Sequence, residues 1–102
     1  MRTDWKTLRE QKRAEDPQAY DTAYAEADAA YRLGALVRGH RIAAGITQVE
    51  LARRAATSQP AIARLEAGGT EPTLATLRRI ATALGVDLVV DFRPSAPVPS
   101  LV

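Results

Sequence analysis

The sequence predicts a mainly α fold: a small multi-helix domain carrying an N-terminal helical extension and one short strand near its C-terminus. Two patterns point to helices. Side chains suited to N-capping stand just before amphipathic runs, at Asp16, Thr47, Ser58 and Thr73. Within those runs the apolar residues return every three or four positions, as one face of a helix requires. A third pattern, alternation of apolar and acidic residues, occurs in residues 86–92 and predicts a half-buried strand.

Residues 1–30 form the extension. Trp5 and Leu8 stand three apart in a polar segment, where Asp4 can cap a short helix too thinly apolar to fold unaided. Asp16 followed by Pro17 is a stronger start, because proline is pre-set for the first helical position. The helix that follows carries Tyr20, Tyr24, Ala27 and Tyr31 along one edge. Those tyrosines either pack on the domain's own first helix or recognise another protein, since Tyr and Trp favour interface centres.

The domain proper spans residues 31–85. Its first helix, residues 31–44, places Leu33, Val37, His40 and Ala44 on one face with Leu36 beside them. Gly34 and Gly39 inside it each cost up to about 1 kcal/mol relative to alanine, which predicts close packing or a break near Gly34. His40 reads as a half-buried spacer. Thr47 and Glu50 form a Thr-x-x-Glu capping box, followed by Leu51, Ala52 and Ala55 on the packing face. Ser58 then caps a further helix, with Pro60 tolerable in its first turn. Ile62 and Leu65 face inward, Gln59, Pro60, Ala61, Ala63 and Arg64 face outward, and Gly68 ends the run.

Past the loop at Gly69, Thr70, Glu71 and Pro72, Thr73 caps a helix whose Leu74, Leu77, Ile80, Ala81 and Leu84 face inward, with Arg78 and Arg79 outside. Gly85 closes it. In residues 86–93, Val86, Leu88, Val90 and Phe92 alternate with Asp87, Val89 and Asp91. A lone strand leaves its edges unpaired, so this one is expected to pair with its copy in a homodimer or to add to a partner's sheet. The Pro-rich residues 94–102 are expected to be a mobile tail.

Composition narrows the function. The 102 residues contain no cysteine and one histidine, which excludes disulfides and thiolate chemistry and leaves little for a metal site. No nucleophile–base arrangement or Gly-rich phosphate loop is visible, so neither catalysis nor a cofactor is expected. A membrane helix would need roughly 18 apolar residues in a row, and no signal-like apolar segment leads the chain; no membrane role and a cytoplasmic location follow as expectations. Charge is uneven. Residues 1–30 hold five basic and seven acidic groups, whereas residues 31–82 hold eight arginines against Glu50, Glu66 and Glu71. The excess of positive charge therefore coincides with the capped helix pair, where phosphate neutralisation would be needed.

The run from Gly45 through Gly68, with Gln48, Leu51, Ala52, Ser58, Gln59, Ile62, Leu65 and Glu66 in place, resembles the helix-turn-helix of the Cro/C1-type (XRE) family of DNA-binding proteins. That resemblance, covering about sixty residues from Leu33 to Phe92, implies a five-helix, lambda-repressor-like domain and a following strand. It also implies an ion pair between Arg41 and Glu66. Such proteins lay the second helix of the motif in the major groove of operator DNA. Gln59 then suits the edge of adenine and Arg64 that of guanine, while Pro60 and Ala61 can touch only thymine methyls. The resemblance assigns phosphate contacts to Gln48, Ser58 and the backbone near Gly69 and Thr70, with Thr57 a further candidate. Ala56 departs from the family's usual glycine at the turn.

The layout as a whole, a Trp- and Tyr-bearing extension before the domain and a short strand after it, resembles HigA-type antitoxins of type II toxin–antitoxin modules. It implies a transcriptional repressor of its own operon that also neutralises a HigB/RelE-like mRNA-cleaving toxin. Trp5, Leu8, Tyr20 and Tyr24 would be the toxin contacts. A free-standing XRE-type repressor without a toxin partner is the alternative.

Overall fold

A computed structural model describes residues 17–95, which contain four helices: α1 (Pro17–Ala43), α2 (Gln48–Arg54), α3 (Gln59–Glu66) and α4 (Leu74–Leu84). Each of the last three begins as its sequence dictates. The side-chain oxygens of Thr47, Ser58 and Thr73 accept from the backbone N–H groups of Glu50, Ala61 and Thr76, at 3.1, 3.2 and 3.1 Å. The capping box is only half formed, because the Glu50 carboxylate turns to Arg53 and Arg54 instead of the Thr47 N–H.

All four helices also end alike. Gly45, Ala56, Gly68 and Gly85 take φ of 72°, 55°, 78° and 71°. In each case the next residue donates its N–H five residues back: Ile46 to Arg41, Thr57 to Ala52, Gly69 to Arg64 and Val86 to Ala81. This closure satisfies carbonyls that the helix itself leaves without partners. Ala56 is the non-glycine among them.

The core is Val37, Leu51, Ala52, Ala55, Ile62, Leu65 and Ile80, with Ile46, Ala83 and Leu84 packed around it. Leu51 and Ile62 are its fully enclosed larger side chains. α2 packs against both α3 and α4, and the small Ala52 and Ala55 let the axes approach. α1 crosses α3 at Gly34, where backbone meets backbone. A Cβ built on Gly34 would lie 2.7 Å from the Glu66 carbonyl oxygen and closer still to that of Leu65. One turn away, a Cβ on Gly68 would lie 2.9 Å from the Tyr31 Cα.

Several expectations change here. The extension helix starting at Pro17 and the domain's first helix are one continuous α1 of 27 residues. Its many alanines favour helix, and the close packing that Gly34 permits needs no break. Four helices, rather than five plus an extension, occupy the described residues, and residues 86–95 form no strand among them. A strand needs a neighbour to satisfy its backbone, and the described residues supply none. Val89, Val90 and Phe92 are exposed, with Leu88 at the margin. His40 is exposed rather than half-buried, and Leu74 and Leu36 also face solvent. Trp5, Leu8 and the short helix expected after Asp4 lie outside the described residues. No helix among the described residues is long and apolar enough to cross a membrane.

The two glycines of α1 should respond oppositely to alanine. Gly34→Ala forces α1 off α3 and is expected to cost at least about 2 kcal/mol. Gly39 has open space around it, so Gly39→Ala should stabilise by about 0.5–1 kcal/mol. Thermal melts of the two variants check the pair.

Candidate nucleic-acid interface

The surface of interest is the outer face of α3, and it is built from below. Ile62 and Leu65 anchor the helix in the core, and Glu66 is buried beside them. The helical period then turns Pro60 and Arg64 to solvent and leaves Gln59, Ala61 and Ala63 half-exposed. Ser58, exposed at the N-cap, and the missing proline N–H in the first turn set how this helix begins.

Beneath the face runs a chain of polar contacts from α1 to the first residue of α3. Arg41 Nε donates to Glu66 Oε2 at 2.7 Å and Arg41 Nη2 to Oε1 at 3.0 Å, a two-point fork, while Nη1 donates to the Ile46 carbonyl at 3.0 Å. Gln48 Nε2 donates to Glu66 Oε1 at 3.2 Å, and Gln59 Nε2 donates to Gln48 Oε1 at 2.9 Å. The side chains of Arg41 and Glu66 are only 14% and 4% exposed. Burial alone would push the Glu66 carboxyl up. The hydrogen bonds from Arg41 and Gln48, with the charges of Arg41 and Arg38, outweigh it and hold the carboxyl below its ordinary range. The hydrogen bond to Glu66 raises Arg41 in turn.

The arrangement brings Gln48, Gln59, Arg41 and Glu66 together and gives several of them specific tasks. One Gln59 N–H goes to Gln48, which leaves its other N–H and its oxygen for a base edge. Gln48 is half-buried and committed to Glu66 and Gln59, with one N–H to spare. Arg64 Nε reaches back to the Pro60 carbonyl at 3.4 Å, along the exposed face. Thr57 is half-buried, and its N–H is used in closing α2. The Gly69 N–H is likewise used, bonded to the Arg64 carbonyl at 2.8 Å, so it is not free for a phosphate; Thr70 next to it is exposed.

Two features escaped the sequence reading. Glu50 is clamped by Arg53 at 2.6 Å and Arg54 at 2.8 Å, and these hydrogen bonds lower its carboxyl to about 2. Their i,i+3 and i,i+4 spacing was a readable signal. Arg79, expected on the outer face of α4, sends its Nε to the Ala55 carbonyl at 3.0 Å. No local pattern announces that contact, because the two residues are 24 apart.

Between α1 and α4, Leu33, Val37, Leu77, Leu84 and Val86 line an apolar cleft of about 260 Å³. In the first half of α1, residues 21–27 are exposed. Tyr24 is 58% exposed there, and Asp21 and Glu26 lie near it in sequence.

Residues 37–90 match the helix-turn-helix family. A protein of Methanothermobacter thermautotrophicus described as an uncharacterized HTH-type transcriptional regulator is 43% identical over 57 residues, which is 56% of this chain and 83% of that protein. No solved structure matches the chain.

Removing one partner of the enclosed pair strands the other. Arg41→Ala should therefore cost about 3 kcal/mol, whereas Arg54→Ala, at an exposed pair, should cost under about 1 kcal/mol. The Glu66 contribution has a definite pH sign. Its folded-state pKa lies below the unfolded value, so its stabilisation is complete above the ordinary glutamate range near roughly 4.3. It is lost as the pH falls through the lower folded value. Melts between neutral and acid pH should show a shallower fall in Tm for Glu66→Gln than for the parent.

Proposed function

Because the chain belongs to the helix-turn-helix family, we propose that it is a DNA-binding transcriptional regulator that lays α3 in the major groove of an operator. The observation that carries this reading is the exposed face of α3, on which Gln59 and Arg64 stand above a polar network that fixes the helix from beneath. The surplus of arginine in residues 31–82 supports it, since phosphates supply much of the affinity of such proteins. In this reading Gln59 reads adenine, Arg64 swings from the Pro60 carbonyl to guanine, and Pro60 and Ala61 touch thymine methyls. Gln48, Thr57, Ser58 and Thr70 face the phosphates, Gln48 through its spare N–H. Gly69 contributes by letting the backbone come close rather than by its own amide.

The protein acts as a homodimer and represses its own operon. Val86, Leu88, Val90 and Phe92 provide the dimer contact: the exposed Leu88, Val90 and Phe92 pair with the other copy's as a strand, and Val86, half-buried with its N–H on the Ala81 carbonyl, packs at its start. The exposed first half of α1 favours a second partner. Tyr24 and the acidic groups near it suit a basic protein surface, and a HigB/RelE-like toxin held through Tyr20, Tyr24 and the preceding Trp5 and Leu8 is our reading of that arm. A free-standing repressor remains the competing reading. Deleting residues 1–27, which spares the buried Ala30, separates the two: the antitoxin loses rescue of growth on co-expression with a HigB/RelE-like toxin encoded next to its gene, and the free-standing repressor loses nothing.

Two measurements test the DNA reading. Gln59→Ala and Arg64→Ala should each weaken binding to the protein's own promoter by about 1–3 kcal/mol, with much smaller effects on unrelated duplex; anisotropy titrations at fixed salt decide it, and blank titrations of the parent at low salt would reject it. Phe92→Asp should halve the sedimenting mass without unfolding the domain, because Phe92 is 96% exposed within one chain.

A further inference from the structure

The turn between α2 and α3 sets the angle at which the reading helix leaves its scaffold, and it is the strained one of the four helix ends. Ala56 holds φ 55° where the other three ends have glycine, a conformation that a Cβ disfavours. Its own closing bond is also the longest of its kind. Ala56 N–H reaches the Arg53 carbonyl at 3.4 Å, against 3.0 Å for Gly45 to Ile42, 3.0 Å for Gly68 to Leu65 and 3.1 Å for Gly85 to Thr82.

This turn has something the others lack, a clip from a distant helix. Arg79, on α4, donates through Nε to the Ala55 carbonyl at 3.0 Å, the first of the peptide planes that make the turn. Its Nη2 lies 3.4 Å from the Thr76 hydroxyl, which is itself held by Thr73 at 3.1 Å. A cation at the C-terminal end of α2 is also favoured by the helix dipole. We infer that Arg79 is the positioning residue of the reading turn: it pins the Ala55–Ala56 peptide, and so the pose of α3, without itself touching DNA.

The inference rests on the DNA-binding reading, and the experiment separates the two. Arg79→Ala, Arg79→Gln, Ala56→Gly and the double variant Arg79→Ala/Ala56→Gly are titrated in the full chain against duplex carrying the protein's own promoter, across a range of salt. Amide exchange is followed in the free protein alongside. Arg79→Ala should weaken binding about tenfold with no change in the slope of log affinity against log salt. Glycine at position 56 occupies the turn without strain, so the double variant should recover most of that loss, and Arg79→Gln, a neutral donor, should retain part of it. Exchange at the Thr57 N–H should quicken at least about fivefold in Arg79→Ala, while the equivalent Gly69 and Val86 amides keep their rates. A salt slope reduced by about one, the mark of a lost phosphate contact, with no recovery in the double variant, overturns the proposal. So does a lower Tm with unchanged affinity, or an unchanged Thr57 rate. A parent chain that binds no duplex at low salt overturns the DNA reading itself, and this inference with it; a parent that binds, beside an Arg79→Ala variant that binds equally well, overturns the inference alone.

Discussion

The enclosed fork between Arg41 and Glu66 is the constraint on which the rest of the molecule turns. Leaving either charge alone in that environment costs about 3 kcal/mol, a large share of what holds a small domain together. The end of α1 and the end of α3 must therefore stay in register. Gln48 adds α2 to the same junction and passes the restraint on to Gln59. Three helices thus meet at one carboxylate. The order of the candidate interface on α3 depends on a side chain that is almost wholly buried.

Local chemistry made much of this legible beforehand. Thr47, Ser58 and Thr73 cap the helices that follow them, and apolar spacing located Leu51, Ile62, Leu65 and Ile80 in the core. The departure at Ala56 was legible through the family resemblance, which places glycine at that turn. What escaped was non-local. Nothing near Arg79 in the chain indicates that it reaches Ala55, whereas the Gly69 amide, spent on Arg64 five residues back, was open to reading from the helix ending at Gly68.

The junction near residue 30 failed for a different reason. Two helices were expected where one runs through: a glycine in mid-helix signals either a close contact or a break, and local sequence does not choose between them. Gly34 is the case in point: its disadvantage as a helix former is set against a crossing that no other residue could make. The strand shows the opposite limit. Alternation in residues 86–92 specifies which side chains share a face, but backbone pairing depends on a neighbour, and sequence periodicity has no say over that.

The Gly34 crossing also has a mechanical meaning. Most packed helices are separated by a layer of side chains, which can change rotamer and take up a small displacement. Here the peptide units of the two helices bear on each other directly, as they do again where Gly68 meets the Tyr31 backbone. The joint has no cushion. With α1 unbroken for about 40 Å, a tilt of its outer turns would bear on the α3 backbone at Gly34 with no layer of side chains between to take it up.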